Sequence, residues 1–229
     1  YWGIPSEWAF VDNFAAVFGS SSIGIYLMNS VIITLPSIVG ALFLSTLAGA
    51  GLALYKFRGR FLILALFIAG NFVPFQILMI PVRQLTLDLG IYDTYWGVIL
   101  FQIAFQTGFC SFVLSNYMKA LPRELYESAV IDGASVLRQF WQITLPLCRP
   151  PLAALATLEV TWIYNEFFWA TVLLTQGSKF PVTSSLNNLR GEFFIDNNLV
   201  AAGSVIVAIP TLVIFFALQK QFVSGLTLG

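Results

Sequence analysis

Of the 229 residues in this chain, 58% are hydrophobic and only 10% are charged, where a soluble domain carries roughly 25% charged residues. A water-soluble fold cannot hide that much apolar surface, so the bilayer must solvate most of the chain. The 11 basic and 11 acidic residues cancel and histidine is absent, which argues against a nucleic-acid partner and removes the commonest metal ligand and general base.

Residues 1–22, with Trp2, Trp8 and Phe10, are expected along the outer membrane interface, where such aromatics collect. The chain opens at Tyr1 without a basic-plus-apolar leader, and a further helix is expected ahead of it. A crossing helix needs roughly 20 apolar residues. Five windows qualify: residues 25–55, 61–81, 94–118, 150–174 and 199–219. The predicted fold is therefore all-α, a single transmembrane domain over residues 1–229.

Lys56, Arg58, Arg60, Lys119, Arg123, Arg138, Arg149 and Lys220 fall in one set of loops. Arg83, Lys179 and Arg190 fall in the other. The richer set faces the cytoplasm, and Tyr1 lies outside. Pro36, Pro74 and Pro210 interrupt three of the windows and are expected to kink them. Gly40, Ser45, Ala48, Gly49, Ala50 and Gly51 are small enough to form a close helix–helix seam. Cys110 and Cys148 sit in apolar surroundings and read as filler.

Residues 119–149 form a polar island between apolar runs, hence a loop on the cytoplasmic side. Pro122 and Glu124 suit the first turn of a helix, predicted over residues 123–131. Asp132-Gly133 reads as a turn. A second helix over residues 135–143 is expected to stop before Leu145-Pro146, because proline disfavours helix in the residue before it. Leu125, Val130, Phe140, Trp141 and Ile143 are left to anchor this unit on the bundle or to fill a partner's groove.

Glu127-x-Ala129, then Asp132-Gly133-Ala134, then Ile143-x-Leu145-Pro146, resembles the cytoplasmic coupling loop of permease subunits of binding-protein-dependent ABC importers. Ser128 departs from the Ala usual in that family, but it is small. Asn29-Ser30, Tyr55 to Arg60 and Gln219 to Thr227 look like the same family, in its carbohydrate-importer branch. Within that branch the chain is similar to the maltose-type permease subunit without a large external domain. That family usually has six crossings, and it continues a few residues past the segment ending this chain at Gly229. The resemblance implies a bacterial or archaeal plasma-membrane protein, with a second homologous permease and an external solute-binding protein. It also implies two ABC ATPase subunits docked at the loop, which hold ATP and Mg. No cofactor is expected on this chain, which has no phosphate-binding Gly-x-x-x-x-Gly-Lys motif.

Within the fourth window, Glu159 and Glu166 are costly in lipid. Seven residues apart, they are expected to share one helix face with Trp162 between them. Asn165 and Tyr164 follow, where the family usually has Trp-Asn. Carboxylates and amides could bond sugar hydroxyls while Trp162 or Tyr164 packs on the ring, making this face a candidate substrate path. The residues 175–198 loop mixes charges and could meet the binding protein. An ion-gradient-driven secondary transporter is the alternative, but no internal repeat is visible and the loop would be unexplained. A membrane enzyme lacks a nucleophile–base pair or metal cluster.

Overall fold

Backbone groups in lipid must pair within their own segment, and a helix does this without a partner. The computed structural model describes residues 9–20, 23–186 and 197–226, which are helices and connections with no strand among them. In chain order they are α1 (Phe10–Ser20), α2 (Ile23–Leu54), α3 (Arg60–Gly70), α4 (Met79–Asp88) and α5 (Tyr95–Lys119). The loop region holds α6 (Glu124–Ile131), α7 (Val136–Gln139) and α8 (Leu145–Leu147). Then come α9 (Arg149–Asn165), α10 (Phe168–Leu173), α11 (Val182–Ser185) and α12 (Asn197–Leu226).

Three of the five predicted crossings are unbroken spans: α2, α5 and the Asn197–Ala217 part of α12. α2 and α12 continue as helices through Pro36 and Pro210. The second window is two arms, α3 and Phe75–Asp88, bent by 95°. Here Pro74 does more than kink the helix. The turn tightens as Asn71, Phe72 and Val73 donate to carbonyls three residues back, and Pro74 itself is extended at ψ 117°. The fourth window also breaks. α9 has 17 residues, which at 1.5 Å each reach about 25 Å of a roughly 30 Å core. It ends where Glu166 turns extended (ψ 120°), and α10 restarts the helix.

The α2–α5 pair forms the most extensive helix seam among the described residues. A Cβ on Gly49 would lie 3.1 Å from the Leu114 Cβ and 3.2 Å from the Ser115 backbone nitrogen. Gly40 faces Ile103, and the Ser45 hydroxyl donates to the Thr107 carbonyl at 3.2 Å. The predicted small-residue seam is therefore real at these positions, while Gly51 has open space beside it. Gly49→Leu has no room against a backbone atom and is expected to lower the Tm of the purified protein by several degrees. Gly51→Leu is expected to leave it unchanged.

The helix ends opposite the residues 119–149 loop are tied by polar side chains. Asn29 donates to the Ser178 and Phe180 carbonyls at 2.8 and 3.0 Å and accepts from the Tyr95 hydroxyl at 2.8 Å. The Ser30 hydroxyl accepts from the Val182 N–H at 2.9 Å. Asp93, at φ 55°, accepts from the Thr175 and Gln176 N–H groups and pairs with Lys179 at 3.2 Å. These bonds, the Thr175 N–H first, hold the Asp93 carboxyl below the ordinary carboxylate range. A depressed folded-state pKa stabilises above the unfolded value, and that stability disappears as pH falls through the folded one. Asp93→Asn keeps a residue that tolerates the left-handed region. It is expected to cost about 2 kcal/mol at neutral pH and nothing once acid has protonated the wild type, as paired thermal melts would show.

α1 packs on α12 and α2 near this same end, with Val17 buried beside Ile23, Tyr164 and Ile206. Trp2 and Trp8, and the charged residues Arg190, Glu192 and Asp196 of the residues 175–198 loop, lie outside the described residues.

Candidate functional site

The loop of residues 119–149 is a folded knuckle. α6 stops because Asp132 leaves the helix and Gly133 takes a left-handed φ of 74°. The Gly133 N–H then donates to the Val130 carbonyl and the Ala134 N–H to the Ala129 carbonyl. This pair of bonds is a Schellman cap. Ser135 follows at once as the N-cap of α7, accepting from the Arg138 N–H. Asp132, Gly133, Ala134 and Ser135 thus end one helix and begin the next within four residues. Ser128, the departure from the family pattern, turns its hydroxyl back to the Glu124 carbonyl at 2.7 Å and adds nothing to the loop's outer surface but a small group.

The second half of the knuckle differs from expectation. α7 passes into a π-helical turn at Phe140–Thr144 and then into α8, so the helix does not stop before Leu145-Pro146. Leu145 is helical at φ −63°, ψ −44°. Proline ordinarily clashes with the carbonyl four residues back; the wider π turn relieves that crowding. Such turns also concentrate at functional sites.

The knuckle is fixed to the bundle on one side and bare on the other. Phe140 is buried with Leu114, Met118, Cys148 and Leu155, and Trp141 stacks on Phe43 with ring centres 6.2 Å apart. The Tyr126 hydroxyl meets the Thr144 hydroxyl at 3.2 Å, and the Tyr117 hydroxyl donates to the Leu147 carbonyl at 3.2 Å. Burial pushes the Tyr126 phenol above its ordinary value, so it remains a neutral partner. Ala129 is buried and Ile143, Leu145 and Pro146 are half-buried. Glu127 is exposed, with Leu125 and Val130. Ile131 and Leu137 are 86% and 69% exposed, an unusual display of large apolar groups beside charged ones.

A second site lies where the two broken crossings meet. A cavity of about 310 Å³ is walled by Phe105, Phe109, Trp162 and Trp169. Asn71 and Phe75 reach it from the first break, and Glu166 from the second. α5 supplies Gln102 and Gln106, which are 3% and 7% exposed yet make no hydrogen bond through their amides among the described residues. Trp162 packs on Phe109 at 5.4 Å between ring centres. Glu166 accepts from the Trp169 N–H through both carboxylate oxygens, at 3.1 and 3.0 Å.

The other candidates in the fourth window lie elsewhere. Glu159 is fully buried, takes a bond from the Cys110 thiol at 3.1 Å, and has no partner for its second oxygen among the described residues. It does not line the cavity: Glu159 is turned to Cys110 of α5, while Glu166, at the end of α9 where the helix breaks, reaches the cavity, so the two carboxylates expected to share one face serve different places. Tyr164 is buried and donates to the Val207 carbonyl at 3.2 Å, in the α9–α12 seam. Asn165 is exposed and bonds the Thr161 carbonyl. Gln102, Gln106 and Asn71 lie outside the fourth window, and Trp169 lies inside it but beyond the helix break at Glu166. Two glutamines four residues apart inside an apolar span are a signal available in the sequence.

Residues 41–227 match the family model described as "Binding-protein-dependent transport system inner membrane component". The chain is 34% identical to the arabinooligosaccharides transport system permease protein AraQ of Bacillus subtilis, over 95% of this chain and 77% of that protein. It is 35% identical to the osmoprotective compounds uptake permease protein GgtD of Synechocystis, over 96% of this chain and 74% of that one. A bacterial ABC transporter that imports the acidic polysaccharide alginate contains a chain of similar fold, with a TM-score of 0.77 at 24% identity. That similarity covers 92% of this chain and 79% of the other. With its helical bundle, its capped knuckle and these relatives, the chain belongs to the family of binding-protein-dependent transport system inner membrane components, the permease subunits of ABC importers.

Proposed function

We propose that this permease subunit carries a sugar or oligosaccharide, and that the cavity between the broken crossings is its part of the path. The observation that carries the reading is the pair of Gln102 and Gln106 side chains that line the cavity without a protein hydrogen bond among the described residues, beside the tilted Phe109–Trp162 pair. Amides that line a cavity without a protein partner bond to what fills it, and a sugar offers hydroxyls to both donors and acceptors while its apolar ring faces pack on Trp162 or Phe109. Helix breaks at membrane depth are tolerated where they line such a cavity. The relative named for arabinooligosaccharide transport supports the same solute class.

In this reading Glu127 and the Asp132-Gly133-Ala134 turn meet an ABC ATPase, one of two that hold ATP and Mg. Closure of the ATPases pulls on the knuckle. Phe140 and the Tyr117 and Tyr126 hydroxyls pass that displacement to α5 and α9, and the cavity changes the side on which it opens. A second homologous permease completes the path, since α3 buries no residue of its own, and an external binding protein delivers the solute. The test is competition in proteoliposomes holding the whole complex. Labelled oligosaccharide uptake is expected to be blocked by unlabelled saccharides of similar size and untouched by free amino acids or short peptides. Blockage by amino acids instead would assign the cavity to another solute class.

A further inference from the structure

The cytoplasmic ends of α2 and α5 carry a feature outside the proposed solute path, beside the knuckle to which the proposed function assigns coupling. A groove of about 480 Å³ opens between Leu54 of α2, Met118 of α5 and the α6 side chains Tyr126 and Val130. Its rim holds four cations, Lys56, Arg60, Lys119 and Arg123, against one carboxylate, Glu127. All four cations are exposed, and among the described residues none of them pairs with a carboxylate. The floor is apolar, from Ala53, Leu54, Met118 and Leu121.

Position decides what such a groove accepts. α2 and α5 are crossing helices, and Leu54 and Lys119 are their last residues. The groove therefore lies at the level where acyl chains give way to headgroups. An occupant must offer a negative charge to the rim and hydrocarbon to the floor. Basic pockets between transmembrane helices on the cytoplasmic side recognise anionic headgroups in this way, and each Lys or Arg near the surface favours them.

We propose that this groove binds the headgroup of an anionic phospholipid of the inner leaflet, with the upper acyl chain against Leu54 and Met118. One wall is α6, the first arm of the coupling knuckle. A bound lipid wedges α6 against α2 and α5, so leaflet charge sets how tightly the knuckle is held to the bundle. Glu127 is the one carboxylate among the lining residues and disfavours a phosphate beside it.

The test is native mass spectrometry of the assembled complex released from mixed phosphatidylcholine and phosphatidylglycerol. The wild type is expected to retain phosphatidylglycerol preferentially. Each of Lys56→Gln, Arg60→Gln, Lys119→Gln and Arg123→Gln is expected to lower that preference by about fivefold, while Lys56→Arg keeps it. Because charge removal can disturb insertion, Ala53→Phe provides a second variant: it fills the floor, changes no charge, and is expected to lower lipid retention in a complex that still assembles. Equal retention of both lipids by the wild type, or a preference unchanged in Ala53→Phe and the glutamine variants, would overturn the proposal. So would variants that retain the lipid preference but lose the ATPase subunit, since the rim would then belong to that interface.

Discussion

Gly133→Val is expected to abolish most ATP-driven uptake while leaving membrane insertion intact. At φ 74° a residue with a Cβ costs roughly 1–2 kcal/mol, and a β-branched residue costs more. That energy lowers the equilibrium constant for the capped knuckle by roughly fivefold to thirtyfold. Nothing lies within 4 Å of a Cβ built at this position, so the loss comes from backbone conformation and not from a clash. The ordering of a series follows: glycine best, then asparagine, alanine and valine. Uptake in proteoliposomes and ATPase recruitment in pull-downs are expected to fall in that order, with equal amounts of protein in the membrane. A valine variant that transports at the glycine rate would show that the left-handed cap plays no part in coupling.

The second large effect is expected at the cavity. Gln106→Leu keeps the side-chain volume and removes both donor and acceptor. A sugar hydroxyl facing leucine loses its partner after giving up water, at a cost of about 1–3 kcal/mol. Transport kcat/KM for the saccharide is then expected to fall about tenfold. Trp162→Ala removes the stacking surface and is expected to match or exceed that loss. ATP hydrolysis by the complex without solute is expected to be unchanged in both, because neither residue touches the knuckle. Glu159→Ala offers the contrast: Glu159 is buried against Cys110 and away from the cavity. A loss of transport in that variant accompanied by poor assembly would mark packing rather than solute contact.

Local chemistry was legible where a single residue decides it. Gly133 announces a left-handed cap because few other residues accept that backbone, and the charge around Lys56 to Arg60 announces a membrane boundary because lipid excludes it. Pro146 misleads, since its effect depends on whether the preceding turn is α or π, which Phe140 and Thr144 settle through their packing. Pro74 is visible as a breaker, but the 95° bend it accompanies depends on where α4 and α10 dock. The seven-residue spacing of Glu159 and Glu166 does not tell that one meets Cys110 and the other the cavity. The helix break is made by Glu166 itself, which turns extended and places its carboxylate on the Trp169 N–H. The cavity could not be read from one window because its walls come from three segments distant in sequence.

Energy from a nucleotide-hydrolysing partner is expected to reach the cavity through the knuckle of residues 119–149. The direct measurement is saccharide uptake into proteoliposomes containing both permeases and the binding protein, with and without the ATPase subunits, under ATP or an imposed ion gradient. Uptake is expected only with ATPase and hydrolysable ATP together, and to vanish in Gly133→Val. Uptake driven by the ion gradient in vesicles lacking the ATPase would contradict it.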